Sequence, residues 1–121
     1  MNVKSRKAKG RKLQNLVRDK LREVYVETTK IPKLHEDDIK SQIMGVPGED
    51  IVFSPKAREM IPFSFECKNV EKLNFWLTVE QCEGNTPEGC SPAIVVKKNK
   101  KTPYVAIELD TFIELLKGIY D

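Results

Sequence analysis

The chain has 121 residues, 40% of them hydrophobic and 32% charged, which suits one domain with a real core and is short for two. No apolar run reaches membrane-spanning length and the N-terminus lacks a signal peptide's apolar core, so no membrane partner and a cytoplasmic setting are expected. The net charge is only +3, yet residues 1 to 22 hold nine Lys or Arg against Asp19 alone, net +8, leaving the rest at −5.

That asymmetry is the footprint of a phosphate-backbone binder, although a charge run also suits a solubilising tail. We read a single domain, 1–121, with a basic N-terminal segment over about 1–12. Cys67, Cys82 and Cys90 form no CxxC pair, and their odd number suits reduced thiols. With His35 the only histidine, a structural zinc site lacks ligands. His35 itself, in "KLHEDD", reads as a solvated loop residue.

In chain order, Leu13, Leu16, Val17, Leu21 and Val24 recur at helical spacing and predict an amphipathic helix over roughly 9–27, basic side outward. The polar, Pro- and Gly-punctuated stretch from Thr28 to Glu49 reads mostly as loop. "DIVF" reads as a short strand, "SPKARE" as a turn or one helical turn, and "PFSFECK" as a second strand antiparallel to the first. Asn69 is a candidate N-cap for a helix over 71–84, with Leu73, Trp76, Leu77 and Glu80 on one side and the polar stripe Asn74, Thr78, Gln81 and Asn85 on another. Trp76 reads as core. "PAIVVKK" and "PYVAIEL" are strands around a lysine turn, Lys97 to Lys101, that forms a second basic cluster. "DTFIELLKGIY" closes the chain as a helix capped by Asp110 or Thr111. The predicted order is α-β-β-α-β-β-α, a mixed sheet covered by helices.

In "FSFECKN" strand alternation sends Phe63, Phe65 and Cys67 to one face and Ser64, Glu66 and Lys68 to the other. If the strand beginning at Asp50 pairs with this one, two carboxylates and an ammonium converge at one end of the sheet. Two hard oxygen ligands suit Mg²⁺, and such an ion beside a lysine suits phosphodiester hydrolysis. Read alone, Glu66 and Lys68 are also an ordinary surface pair, and Asp50 a turn residue after Gly48.

"GED…FECK" resembles the PD-(D/E)xK nuclease superfamily, whose core order is α-β-β-β-α-β. With "SRKAKGRKLQNLVRDKL", "GEDIVFSPKARE" and "EKLNFWLTVEQCEGN" it is similar to a phage-type branch related to Holliday-junction resolvases, over about residues 5 to 116. The resemblance implies a restriction-endonuclease-like core and a divalent-metal-dependent DNA endonuclease. Asp50 and Glu66 would be metal ligands, the Cys67 carbonyl a further ligand, and Lys68 the catalytic lysine. Gln14 stands where such members place a glutamate in the first helix, so this chain brings one carboxylate fewer. Gln81 matches a polar residue often found near the superfamily site; without the resemblance, both glutamines are helix-surface amides.

Arg6, Lys7, Lys9, Arg11, Lys12, Ser41 and Asn69 are the expected DNA contacts, with Ser41, Gly45 and Gly48 in a substrate loop. The implied cofactor is Mg²⁺, with Mn²⁺ substituting. The implied partner is branched DNA, a four-way junction above all, acted on by a homodimer in DNA recombination. If the chain is phage-encoded, the setting is the host-cell cytoplasm. The alternatives are a nuclease nicking other DNA structures and a catalytically silent DNA-binding module.

Overall fold

The computed structural model describes residues 2–28 and 33–120, with the side chain of Tyr120 outside the described residues. Helix α1 runs Val3–Tyr25. Asn2 caps it by accepting a 2.8 Å hydrogen bond from the Ser5 N–H. Leu13 and Val17 turn one face inward, and Leu21 and Tyr25 continue that stripe at four-residue spacing. The basic segment expected to precede the helix is therefore its first turns, a rigid face rather than a tail.

The stretch read as loop contains more structure than expected. A short 3-10 turn over Glu36–Asp38 is capped by His35, whose Nδ1 accepts from the Asp37 N–H. The turn leads into β1, Ile39–Ser41, which pairs antiparallel with β2, Ile51–Phe53. Glycines with left-handed backbone, Gly45 at φ 87° and Gly48 at φ 114°, turn the connecting chain back towards Asp50.

Helix α2, Pro55–Met60, is capped by Ser54 and has proline in its first turn. It separates β2 from β3, Phe63–Asn69, so the two do not form the expected antiparallel pair. Instead β3 pairs in parallel with β4, Ser91–Lys97, across α3, Phe75–Asn85, and β4 pairs antiparallel with β5, Tyr104–Ile107. Parallel strands need such a crossover. Asn74, not Asn69, caps α3: its side chain accepts from the Leu77 N–H at 3.2 Å. The last helix, α4, spans Leu109–Tyr120 and begins just ahead of its expected caps.

The result is a mixed α/β protein with a two-stranded antiparallel sheet and a three-stranded mixed sheet, flanked by helices. Its order is α-β-β-α-β-α-β-β-α, with one strand and one short helix more than the sequence suggests.

The core lies where α1 covers both sheets, joining Leu13, Val17, Leu34, Ile39, Ile51, Ala57, Ile61, Cys67 and Val95. Fully burying one such aliphatic side chain is worth about 1.5–3 kcal/mol. Cys67 and Val95 thus face α1, while the alternate residues face α3, where the Cys82 thiol lies 3.6 Å from the Ser64 carbonyl. The inner face of α3 is not the expected Trp76 and Leu77 side, although Asn74, Gln81 and Asn85 of the polar stripe are exposed as expected. Thr78 and Cys82 are buried and Trp76 is 73% exposed, so Trp76 is not core. The Thr78 hydroxyl donates back to the Asn74 carbonyl at 2.9 Å, which lets a polar residue face inward.

Candidate active site

Asp50 joins the two sheets. Its carbonyl accepts from the Gln42 N–H at 2.8 Å, and its own N–H donates to the Phe65 carbonyl at 3.0 Å. Its side chain then reaches along the same edge of β3, where Oδ2 accepts from the Cys67 N–H at 2.6 Å. Asp50 thus occupies positions 65 and 67 of the strand, with Glu66 between them. Within a strand a residue's N–H and C=O leave on the same edge. The Cys67 carbonyl consequently points to the side that holds the Asp50 carboxylate.

The two carboxylates meet. Burial, followed by hydrogen bonding to and repulsion from Asp50, pushes the Glu66 carboxyl up to about 8, while the nearby Lys68 ammonium pulls it the other way. The hairpin expected between β2 and β3 is absent, yet the convergence it was meant to produce is present. One bridging residue at the end of β2 achieves it. The Cys67 thiol is pushed up by burial and then by Asp50 and Glu66, which disfavours the thiolate.

Gln14 lies on the inner face of α1, only 6% exposed, and its Oε1 is buried without a hydrogen-bond partner. An orphaned buried acceptor costs about 1–3 kcal/mol. The adjoining Asn15 accepts from the Ser41 hydroxyl at 2.8 Å, and Ser41 precedes the Gln42 that holds Asp50. The turn of α1 that carries Gln14 is therefore pinned beside the strand end that carries Asp50. The Ser41 hydroxyl expected to meet DNA is spent on this internal contact.

Gln81 is not brought in: it is exposed on α3, one position before the buried Cys82. Among the described residues no group of three or more His, Cys, Asp or Glu is placed to hold a metal ion. The oxygen donors brought to this end of β3 are instead two carboxylates and a backbone carbonyl, with a buried amide oxygen on the adjoining helix.

Lys9, Arg11 and Lys12 of α1 line a cleft of about 610 Å³ with Asn69, Lys97 and Asn99. The Lys9 ammonium donates to the Asn99 side chain, and the Asn69 amide donates to the Lys9 carbonyl at 3.4 Å. Lys97 of the second basic cluster, far away in sequence, therefore joins the first cluster on one surface at the end of β3 and β4. Arg6 and Lys7 continue it, exposed on the first turns of α1.

Arg58 has no place in the motif reading but organises the approach to Asp50. It pairs with Glu49, donates to the Phe63 carbonyl at 2.7 Å, and stacks 4.8 Å from the centre of the Phe53 ring. An arginine inside a six-residue helix beside "GED" was the available signal. No helix among the described residues is long and apolar enough to cross a membrane. Comparison with protein-family models, with curated proteins and with solved structures finds no match to this chain.

Proposed function

We propose that this chain is a divalent-metal-dependent DNA endonuclease of the PD-(D/E)xK type, acting on branched DNA and best suited to four-way junctions. The observation that carries the reading is the meeting of Asp50 and Glu66 at the edge of β3, with Lys68 two residues on. Burial first, and the neighbouring Asp50 carboxylate second, keep the Glu66 carboxyl protonated near neutral pH, and a counter-cation between the two would let both ionise. The orphaned Gln14 oxygen wants a partner. Both needs fit a hard, oxygen-seeking ion. The order α1-β1-β2-β3-α3-β4, with the six-residue α2 inserted, also agrees with the superfamily's core order.

Asp50, Glu66 and the Cys67 carbonyl would hold Mg²⁺, or Mn²⁺ in its place, with Gln14 as the fourth protein oxygen. The chemistry such an ion supplies is Lewis-acid stabilisation of phosphoryl charge and acidification of water. Lys68 donates hydrogen bonds to the phosphoryl oxygens as negative charge builds during attack by water and rupture of the P–O ester bond. The cleft of Lys9, Arg11, Lys12 and Lys97 holds the backbone of the same strand.

Resolving a junction takes paired cuts on opposing strands, and one chain carries one such site. A two-fold dimer supplies two. The deciding experiment incubates the protein with labelled junction, duplex and single strand in Mg²⁺ and in Mn²⁺. Symmetric cuts in the junction are expected; no product from any of the three would overturn the proposal.

A further inference from the structure

Lys68, Val96 and Tyr104 stand opposite one another across β3, β4 and β5 and so share one face of the sheet. Adjacent strands are about 4.8 Å apart, which puts Tyr104 roughly 10 Å from Lys68 along this row. Helix α3 covers the neighbouring row at Ile94 but begins only at Phe75, leaving the Lys68 row open. There a hollow of about 340 Å³ is floored by Val70, Leu73 and Val96, walled by Tyr104, and rimmed by Lys98 and Lys101. Tyr104 is 72% exposed.

An apolar floor beside an exposed aromatic ring is not self-sufficient, and its charged lining is net cationic: Lys68, Lys97, Lys98 and Lys101 against Glu71, which accepts from the Asn99 N–H at 3.0 Å. Duplex DNA offers the rim its phosphates but keeps its base faces stacked away from the ring. A single-stranded nucleotide offers both a π-face for Tyr104 and a phosphate for the lysines. The lysines lie on a tight turn, closed by the Lys101 N–H on the Lys98 carbonyl at 3.1 Å, with Lys100 in left-handed backbone at φ 63°. Their charges are thereby presented beside the hollow.

We infer that this hollow is a subsite for one unpaired nucleotide of the strand being cut, its base stacked on Tyr104 and its flanking phosphates on Lys98 and Lys101. The inference rests on the nuclease reading for the identity of the strand. It gives that reading a substrate class: DNA with unpaired nucleotides next to the scissile phosphate, as at a branch point. Selection for branches then comes from a base that must leave its stack, and no sequence-specific contact is needed.

The test uses the full chain, without divalent metal, and an oligonucleotide carrying 2-aminopurine either in a single strand or within a perfect duplex. Stacking on Tyr104 quenches 2-aminopurine fluorescence on single-strand binding. Tyr104→Ala removes the quench and weakens single-strand binding roughly tenfold, with duplex binding unchanged. Tyr104→Phe keeps both quench and affinity, which separates stacking from folding. An absent quench in the wild type, or wild-type affinity in Tyr104→Ala, would overturn the subsite. So would a Tyr104→Ala change that appears only as a shift in sedimentation mass, because the hollow would then hold another copy of the chain. Junction cleavage in Mg²⁺, followed alongside, reports on the nuclease reading separately. A quench without cleavage keeps the subsite and removes the nuclease; cleavage without a quench does the reverse.

Discussion

The Asp50 carboxylate accepts a 2.6 Å hydrogen bond from the Cys67 backbone N–H, one residue beyond the glutamate it faces. Asp50 thus closes the edge of β3, and on the proposed function it has a second job, offering its remaining lone pairs to a metal ion. Different substitutions separate them. Asp50→Asn keeps an acceptor for the Cys67 N–H but loses the charge, so its urea midpoint should stay near wild type while Mn²⁺ binding by calorimetry is lost. Asp50→Ala should in addition lose about 1.5–3 kcal/mol, the usual worth of a hydrogen bond to a charged group. Unchanged Mn²⁺ affinity in both Asp50→Asn and Glu66→Gln would remove the metal site.

The Glu66 carboxyl is raised to about 8, from an ordinary value of 4.5. Between those values the folded protein holds a proton that the unfolded chain has released. The stabilisation is therefore complete below about 4.5 and is lost as pH rises through about 8. In EDTA the melting temperature should fall over that interval by more than in Glu66→Gln, which has no proton to lose. Added Mg²⁺ should restore stability at the alkaline end, where Glu66 has lost its proton. A metal-free wild type that tracks Glu66→Gln at every pH would contradict the pairing.

Lys68→Ala should cut junction cleavage by at least about a hundredfold, the scale for one donor on a developing oxyanion. Binding should hardly change, because the cleft on α1 is intact. Cleavage within a few-fold of wild type would free Lys68 from that role.

The cleft lined by Lys9, Arg11, Lys12 and Lys97 gives the electrostatic reading a defined surface. Neutralising Lys9, Arg11 and Lys12 together should weaken binding to all sequences alike and flatten the plot of log affinity against log salt by about 0.9 for each phosphate that no longer meets a cation. An unchanged slope would leave these charges to solubility. Adding Arg6 and Lys7 to the set tests whether the first turns of α1 also lie on the backbone.

The strong periodicities and the D…ExK spacing were legible in the residues, whereas the packing was not. Leu13, Val17 and Leu21 announce α1, but the lysines before them share its register without apolar partners to show it. Ile39–Ser41 is a three-residue strand, too short for alternation to register. On α3 the apolar count favours Leu77 and Trp76, while the sheet prefers the small Thr78 and Cys82, which let the helix approach Ser64 closely. Asp50 and Glu66 are brought together by a different route from the hairpin that alternation suggests. A single residue bonding to both β1–β2 and β3 leaves no periodic trace.

The last prediction is the dimer. Helix α4 exposes much of its apolar surface: Leu109 and Ile119 are 72% and 71% exposed, and Phe112 and Leu115 about half. Its apolar residues lie outside the main core. β5 is the outer strand of its sheet, and an outer strand offers unpaired backbone groups. A helix this apolar in water invites a partner, and a second copy fits best, since two-fold closure would also give paired sites for the two cuts a junction needs. Sedimentation at micromolar concentration should give twice the chain mass of 13.9 kDa. Ile119→Asp together with Leu115→Asp should return the monomer and reduce paired cuts to single nicks, while the cleft still binds DNA. A monomeric wild type, both free and on the junction, would rule the dimer out and leave a nicking enzyme.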